Sequence, residues 1–260
     1  DLFRNFPISR EEILQQLTER VFTSGVQRSP VYVDQLTILI LSEPASSFQN
    51  YFKKFKGRLD HMIHMTPKIA LDFLDSIKPL LKYDSIYKDN LIVSLKKSIY
   101  QSDYDVRKVG LYGLVSLLST TKLPTFLPSS QASQSMSLSQ SQSQMSRSIS
   151  MSQEKMAEKS CLEIFFVLRR CLTQQPQIRS KLYQSCHGLI AQNPTLVGPI
   201  LNILLVQLEG YLIHSDMVTI FNLAKCLRTN EKNEVELVEP IDVLLHAANI
   251  FNQKYQSLNL

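Results

Sequence analysis

The 260-residue chain is 44% hydrophobic, carries a formal net charge of +5, and contains seven glycines and no tryptophan. That apolar content fills one or two cores, and so few glycines argue against a sandwich or barrel with many tight turns. The charge permits nucleic-acid contact without implying it, and no apolar run nears the roughly 20 residues that span a bilayer.

Arg4, Arg10, Glu11 and Glu12 interrupt the N-terminus, unlike a signal peptide. A soluble protein is therefore expected. Because the chain opens on Asp1 and not on methionine, it reads as a piece of a larger one. Ser9 and Glu12 have the spacing of a capping box before a helix with Ile13, Leu14, Leu17 and Val21 on one stripe, stopped at Gly25. Ser29-Pro30 opens a second helix, dense in Leu36, Ile38, Leu39, Ile40 and Leu41, and Glu43-Pro44 ends it. A third is expected from Ser46 to Ile63 with Phe48, Phe52 and Phe55. Thr66-Pro67 starts a fourth, with Ile69, Phe73, Ile77 and Leu81 spaced by fours. A fifth covers Ser85 to Gln101. Ser102 or Asp103 caps a sixth, with Val106, Val109, Leu114, Leu117 and Leu118 inward and Gly110 and Gly113 open to a close neighbour.

From about Leu123 to Gln153 the composition changes. Residues 129–153 are almost all Ser, Gln and Met, with Arg147 the sole charge and no aromatic residue. Such a stretch buries too little apolar surface to offset its ordering entropy, so disorder is expected. Helical patterning resumes near Glu154 with Leu162, Ile164, Phe165, Leu168 and Leu172. Gln175-Pro176 then leads to Ile178, Leu182 and Leu189, and Asn193-Pro194 to Val197, Ile200, Leu201, Leu204 and Leu208. A polar hairpin around Asn230 to Asn233 precedes a last helix from Glu239, with Pro240 in its first turn and Leu244, Leu245 and Ile250 inside.

Helices of about 15 residues joined by short turns pack against their sequence neighbours. The expected fold is all-α, an irregular α-solenoid of HEAT-like antiparallel helical pairs without a fixed repeat, interrupted by a disordered Ser/Gln-rich loop. Its blocks are 1–122, 123–153 and 154–260.

Little in the sequence speaks for catalysis. His61 and His64 share a helical offset but bring no further metal ligands, and Cys186-His187 is not a nucleophile pair by adjacency. Cys161, Cys171, Cys186 and Cys226 lack zinc spacing and read as reduced, partly buried thiols of an intracellular protein. Neither a phosphate loop nor a nucleophile elbow is present, so no enzyme activity, cofactor or metal is expected. Lys53, Lys54, Lys56 and Arg58, interleaved with Phe52 and Phe55, form either a phosphate-contacting patch or a solvated helix face. Lys96-Lys97 and Arg107-Lys108 make a second such cluster.

Six Ser-Gln dipeptides begin at Ser130, Ser133, Ser139, Ser141, Ser143 and Ser152. Ser-Gln is the site that DNA-damage checkpoint kinases read, although a Ser/Gln-rich linker also repeats it by composition. Phosphorylation is favoured, because the tract interrupts a solenoid instead of trailing from it. Full modification would add on the order of −10 charges.

With the tract placed between two helical blocks, the chain resembles the Fanconi anaemia group I family. The resemblance is carried by CLEIFFVLRRCLTQQPQIRSKLY at Cys161–Tyr183, VEPIDVLL at Val238–Leu245, LIVSLKKSIYQSDYDVRKV at Leu91–Val109 and SSQASQSMSLSQ at Ser129–Gln140. It implies an α-solenoid with an interspersed helical domain and nuclear residence. It also implies pairing with the paralogous group D-two subunit in a clamp on DNA, acting in interstrand-crosslink repair. Regulation would be monoubiquitination of one lysine by the Fanconi ubiquitin ligase complex and its ubiquitin-conjugating enzyme. That lysine follows a Leu-basic pair on the helix before a D-x-R-K segment, which matches Lys97, with Lys96 before it. Ser130, Ser133 and Ser139 match the family's phosphorylated serines, and Ser141, Ser143 and Ser152 extend the tract. Helical spacing clusters Leu91, Ile92, Leu95 and Ile99 and points Lys97 roughly opposite, beside Val93. The alternative is a generic HEAT-like interaction scaffold with a phosphorylated linker.

Overall fold

Proline and aspartate set many of the helix starts. In the computed structural model, which describes residues 2–48, 51, 56–121, 159–214 and 219–258, the chain divides into two units, Asp1–Leu117 and Leu118–Leu260.

The first unit holds α1 (Leu2–Asn5), α2 (Arg10–Thr23), α3 (Gly25–Ser42), α4 (Leu59–Met62), α5 (Pro67–Ile77) and α6 (Ser85–Ile99). Most of α7 (Tyr104–Thr120) also belongs to it. Pro67 occupies the first turn of α5, where a missing N–H costs nothing. Asp84 caps α6 by accepting the Tyr87 N–H at 2.9 Å, and Asp103 caps α7 by accepting the N–H groups of Asp105 at 2.7 Å and Val106 at 3.2 Å. These are the side-chain caps that the first orphan donors of a helix need.

Three expectations are corrected here. The Ser9–Glu12 capping box does not form. A 3-10 turn at Pro7–Ser9 already holds Ser9 in helical backbone, from which its hydroxyl makes no cap, and Glu12 accepts from Gln16 at 2.9 Å instead. The second helix begins at Gly25, not at Ser29-Pro30. Gly25 takes the left-handed turn (φ +73°) that separates α2 from α3, a conformation that costs glycine little. Pro30 therefore lies inside α3. The expected Ser46–Ile63 helix is not one element either: its described parts are a 3-10 turn at Ala45–Phe48, the helical residue Tyr51, a 3-10 turn at Lys56–Arg58 and the single turn of α4.

In this unit α3 packs between α2 and α5. Phe22 meets Phe73 edge-on at 5.5 Å, and the hydroxyls of Thr37 and Ser76 pair at 2.6 Å. Leu36 and Ile40 enter the core, while Ile38 and Leu41 of the same run face outward. The Ser94 hydroxyl donates to Asp60 at 2.6 Å and ties α6 to α4.

The second unit contains α8 (159–171), α9 (Pro176–Gln192), α10 (Val197–Glu209) and α11 (Ile241–Ser257). Both α9 and α10 pack on α11. Two small antiparallel ribbons lie between α10 and α11: β1 (Leu212–His214) with β2 (Thr219–Phe221), and β3 (Leu227–Thr229) with β4 (Val235–Leu237). The second ribbon is the expected polar hairpin. Asn230 Oδ1 accepts the N–H groups of Lys232 and Glu234, both at 2.9 Å, across its turn, and Asn233 takes φ 60°. The first ribbon was not legible in the sequence. Leu245, expected inside, is exposed, as is Leu162 of the α8 pattern.

The all-α class holds, with the two ribbons as minor additions. Among the described residues, no helix is long and apolar enough to cross a membrane.

Candidate functional site

Lys97 sits in the last turn of α6, where a cation complements the partial negative charge of the helix C-terminus. The inner face of α6 fixes it. Tyr87, Leu91, Ile92, Ser94, Leu95, Ser98 and Ile99 are buried. Behind them α7 approaches so closely that a Cβ on Gly110 would stand 2.8 Å from the Leu95 carbonyl oxygen, and one on Gly113 2.6 Å from Leu95 Cδ2. Only glycine permits that approach, so both glycines open α7 to a neighbour as the sequence suggested.

The outer face of α6 carries Ile86, Val93, Lys97 and, just past its end, Tyr100, all exposed. Lys96 is half-buried and already engaged in an interaction. Among the described residues, no ion pair holds Lys97. The two adjacent lysines therefore differ physically: Lys97 is exposed to solvent, whereas Lys96 is half-buried and engaged.

Lys53 and Lys54, with Ser130, Ser133, Ser139, Ser141, Ser143 and Ser152, lie outside the described residues. Lys56 begins the 3-10 turn at Lys56–Arg58, and Arg58 faces Glu19 at 3.7 Å, which offsets part of its charge. His61 and His64 are both exposed. Among the described residues, no group of three or more His, Cys, Asp or Glu is placed to hold a metal. All four cysteines are fully buried, and none forms a disulfide. Burial pushes the thiols of Cys171 and Cys186 up to about 12, which keeps them protonated and unreactive.

The second unit contains a polar centre that sequence reasoning missed. Glu239, 0% exposed, forms a buried ion pair with Arg179. Its carboxylate also accepts from Tyr183 at 2.7 Å, Tyr211 at 2.7 Å and Gln207 at 3.1 Å. Arg179 donates in addition to the Val238 carbonyl, and the Val238 N–H reaches the Cys226 carbonyl at 2.8 Å. One carboxylate thus joins α9, α10 and the start of α11, and the second ribbon is tied in through Cys226. A buried charge needs such a full set of partners. Burial, and then the hydrogen bond to Glu239, raise the Tyr183 hydroxyl well above its usual value and push that of Tyr211 up to about 12. The signal lay in the resemblance itself, since Arg179 and Tyr183 belong to the Cys161–Tyr183 run and Glu239 to the Val238–Leu245 run.

Helices that pack on their sequence neighbours define an α-solenoid segment. The chain belongs to the Fanconi anemia group I protein family. The family model described as FANCI solenoid 2 matches residues 1–115, and that described as FANCI helical domain 2 matches residues 129–259. The chain is 30% identical over 237 residues to the Fanconi anemia group I protein of Gallus gallus, covering 91% of this chain and 17% of that protein. It is 30% identical over 246 residues to the Fanconi anemia group I protein homolog of Mus musculus, covering 94% of this chain and 18% of that protein. The chain thus spans less than a fifth of the length of these curated relatives.

Proposed function

We propose that this chain is a regulatory scaffold segment of a nuclear clamp subunit acting in DNA interstrand-crosslink repair. It receives ubiquitin on Lys97 and phosphate on Ser130, Ser133, Ser139, Ser141, Ser143 and Ser152, and it does no chemistry of its own. The Fanconi ubiquitin ligase complex with its conjugating enzyme and the checkpoint kinases write these marks. The longer protein pairs with the paralogous group D-two subunit on DNA.

The observation that carries this reading is the contrast between Lys97 and Lys96. An isopeptide bond requires an amine that a thioester-bound ubiquitin can approach, and the exposed Lys97 meets that requirement on a helix whose other face is fixed against α7. Exposed Ile86, Val93 and Tyr100 beside it suit a face that a protein partner covers.

The test is ubiquitination of the full-length protein by the Fanconi ligase on DNA with its paralogous partner, followed by peptide mapping. A single diglycine mark on Lys97, lost in Lys97→Arg and kept in Lys96→Arg with helicity unchanged, is expected. Marks spread over several lysines would remove Lys97 from the account and leave a generic helical scaffold.

A further inference from the structure

The outer face of α8 carries side chains that the core does not use. Leu162 and Phe166, one turn apart, are 60% and 63% exposed, while Cys161, Ile164, Phe165, Leu168 and Cys171 fill the core behind them. At about 100° per residue, Lys159, Leu162, Phe166, Arg169 and Arg170 share one stripe roughly 100° wide, and all of them are exposed. Single exposed apolar residues are ordinary. Two adjacent ones with cations before and after them have the composition of an anchor for a segment both acidic and apolar. Glu163 beside the stripe leaves its balance positive.

We propose that this face of α8 receives the chain's own Ser-Gln tract, residues 129–153, once that tract is phosphorylated. The proposal rests on the phosphorylation reading above. Charge complementarity supports it. The unmodified tract has Arg147 as its sole charged residue and is repelled by the cations. About −1.5 to −2 charges on each of its phosphoserines invert that sign. Arg169 supplies a planar donor fork that grips phosphate oxygens, and Arg170, already engaged in an interaction, adds its charge to the same face. The tract also places Met145, Ile149 and Met151 among Ser143 and Ser152, which provides apolar side chains for Leu162 and Phe166.

The tether is short enough. Ser152 precedes Lys159 by seven residues, a reach of up to about 24 Å, and Arg169 lies only about 15 Å along the helix from Lys159. Tethering at this range gives an effective concentration on the order of millimolar, so a weak contact suffices.

The chain contains no tryptophan, so Phe166→Trp places a single fluorophore on the face, with circular dichroism to check the fold. A synthetic peptide of residues 129–153, phosphorylated at its Ser-Gln serines, is titrated into this chain beside its unphosphorylated twin. The phosphopeptide is expected to blue-shift the tryptophan and shield it from acrylamide, and the twin to do neither. Adding Arg169→Glu and Arg170→Glu should weaken binding about tenfold or more, as should raising salt from about 50 to about 500 mM.

The chain is then treated with a Ser-Gln-directed checkpoint kinase and its phosphates are mapped by mass spectrometry. Shielding without added peptide supports docking in cis. Mapped phosphates with an open tryptophan overturn docking and leave the phosphorylation reading standing. A phosphopeptide that binds equally well to the double-Glu variant also overturns it. A kinase that leaves the serines bare sinks the phosphorylation reading, and the peptide titration still decides docking. Shielding that grows with protein concentration before any phosphate is added would make the face a self-association surface and refute the proposal.

Discussion

The contact between α6 and α7 predicts opposite signs for one substitution at three glycines. Replacing glycine by alanine within a helix gains about 1 kcal/mol of intrinsic propensity. At Gly188, on the exposed side of α9, an added Cβ meets nothing within 4 Å, so Gly188→Ala should stabilise by about 0.5–1 kcal/mol. At Gly110 the new methyl would stand 2.8 Å from the Leu95 carbonyl oxygen, a backbone atom that moves only if α6 and α7 separate. Overpacking of this kind costs about 1–3 kcal/mol, so the net effect is a loss of up to about 2 kcal/mol. Gly113 is intermediate, because its nearest neighbours, at 2.6 and 2.9 Å, are the terminal methyls of Leu95, which can rotate away. Urea unfolding followed by far-ultraviolet circular dichroism should order the variants Gly188→Ala, parent, Gly113→Ala, Gly110→Ala, from most to least stable. A Gly110→Ala chain as stable as Gly188→Ala would refute the close approach, and with it the rigid backing of Lys97.

Glu239→Ala leaves Arg179 buried without its counter-charge and should cost the second unit about 3–5 kcal/mol in thermal unfolding, against about 1 kcal/mol for Tyr183→Phe; equal losses would show that the ion pair is not buried. Asp84→Ala removes the cap of α6 and should cost about 1 kcal/mol by the same measurement. Burial raises Cys171 and Cys186 from 9.0, and Tyr211 from 10.0, to about 12. Groups held protonated by the fold contribute stability that is complete below their unfolded values and is lost as pH rises through the folded ones. Stability should therefore hold up to about pH 9 and fall between about 9 and 12, and a urea midpoint unchanged across that window would contradict it.

Much of the helix layout was legible because its punctuation is chemical. Pro67 and Pro176 each sit in a first helical turn, and Asp103 caps α7 where its sequence position suggested. What failed did so for physical reasons. Ser29-Pro30 resembles a helix start, but the left-handed turn at Gly25 had already broken the chain, and α3 carries Pro30 as its sixth residue at the cost of one hydrogen bond to the Val26 carbonyl. The run Leu36–Leu41 is too densely apolar for periodicity to say which side is buried, and Ile38 and Leu41 fell outside. Strands of three residues are shorter than any window in which alternation can be read, so β1 and β2 were invisible. At the candidate site, helical spacing placed Lys97 outward correctly. The partner set of Glu239 depends on long-range contacts that no local pattern encodes.

Glu239 also orders events in time. Arg179 and its counter-charge are separated by 60 positions, and a ribosome adding about 5–20 residues per second needs roughly 3–12 s to pass from one to the other. During that interval α9 has left the ribosome with a guanidinium that its final fold buries, so the second unit cannot close until the start of α11 emerges. Any shorter fragment that stops before Val238 stays permanently in that unfinished state, which sets a lower limit on where this unit can be cut and still fold.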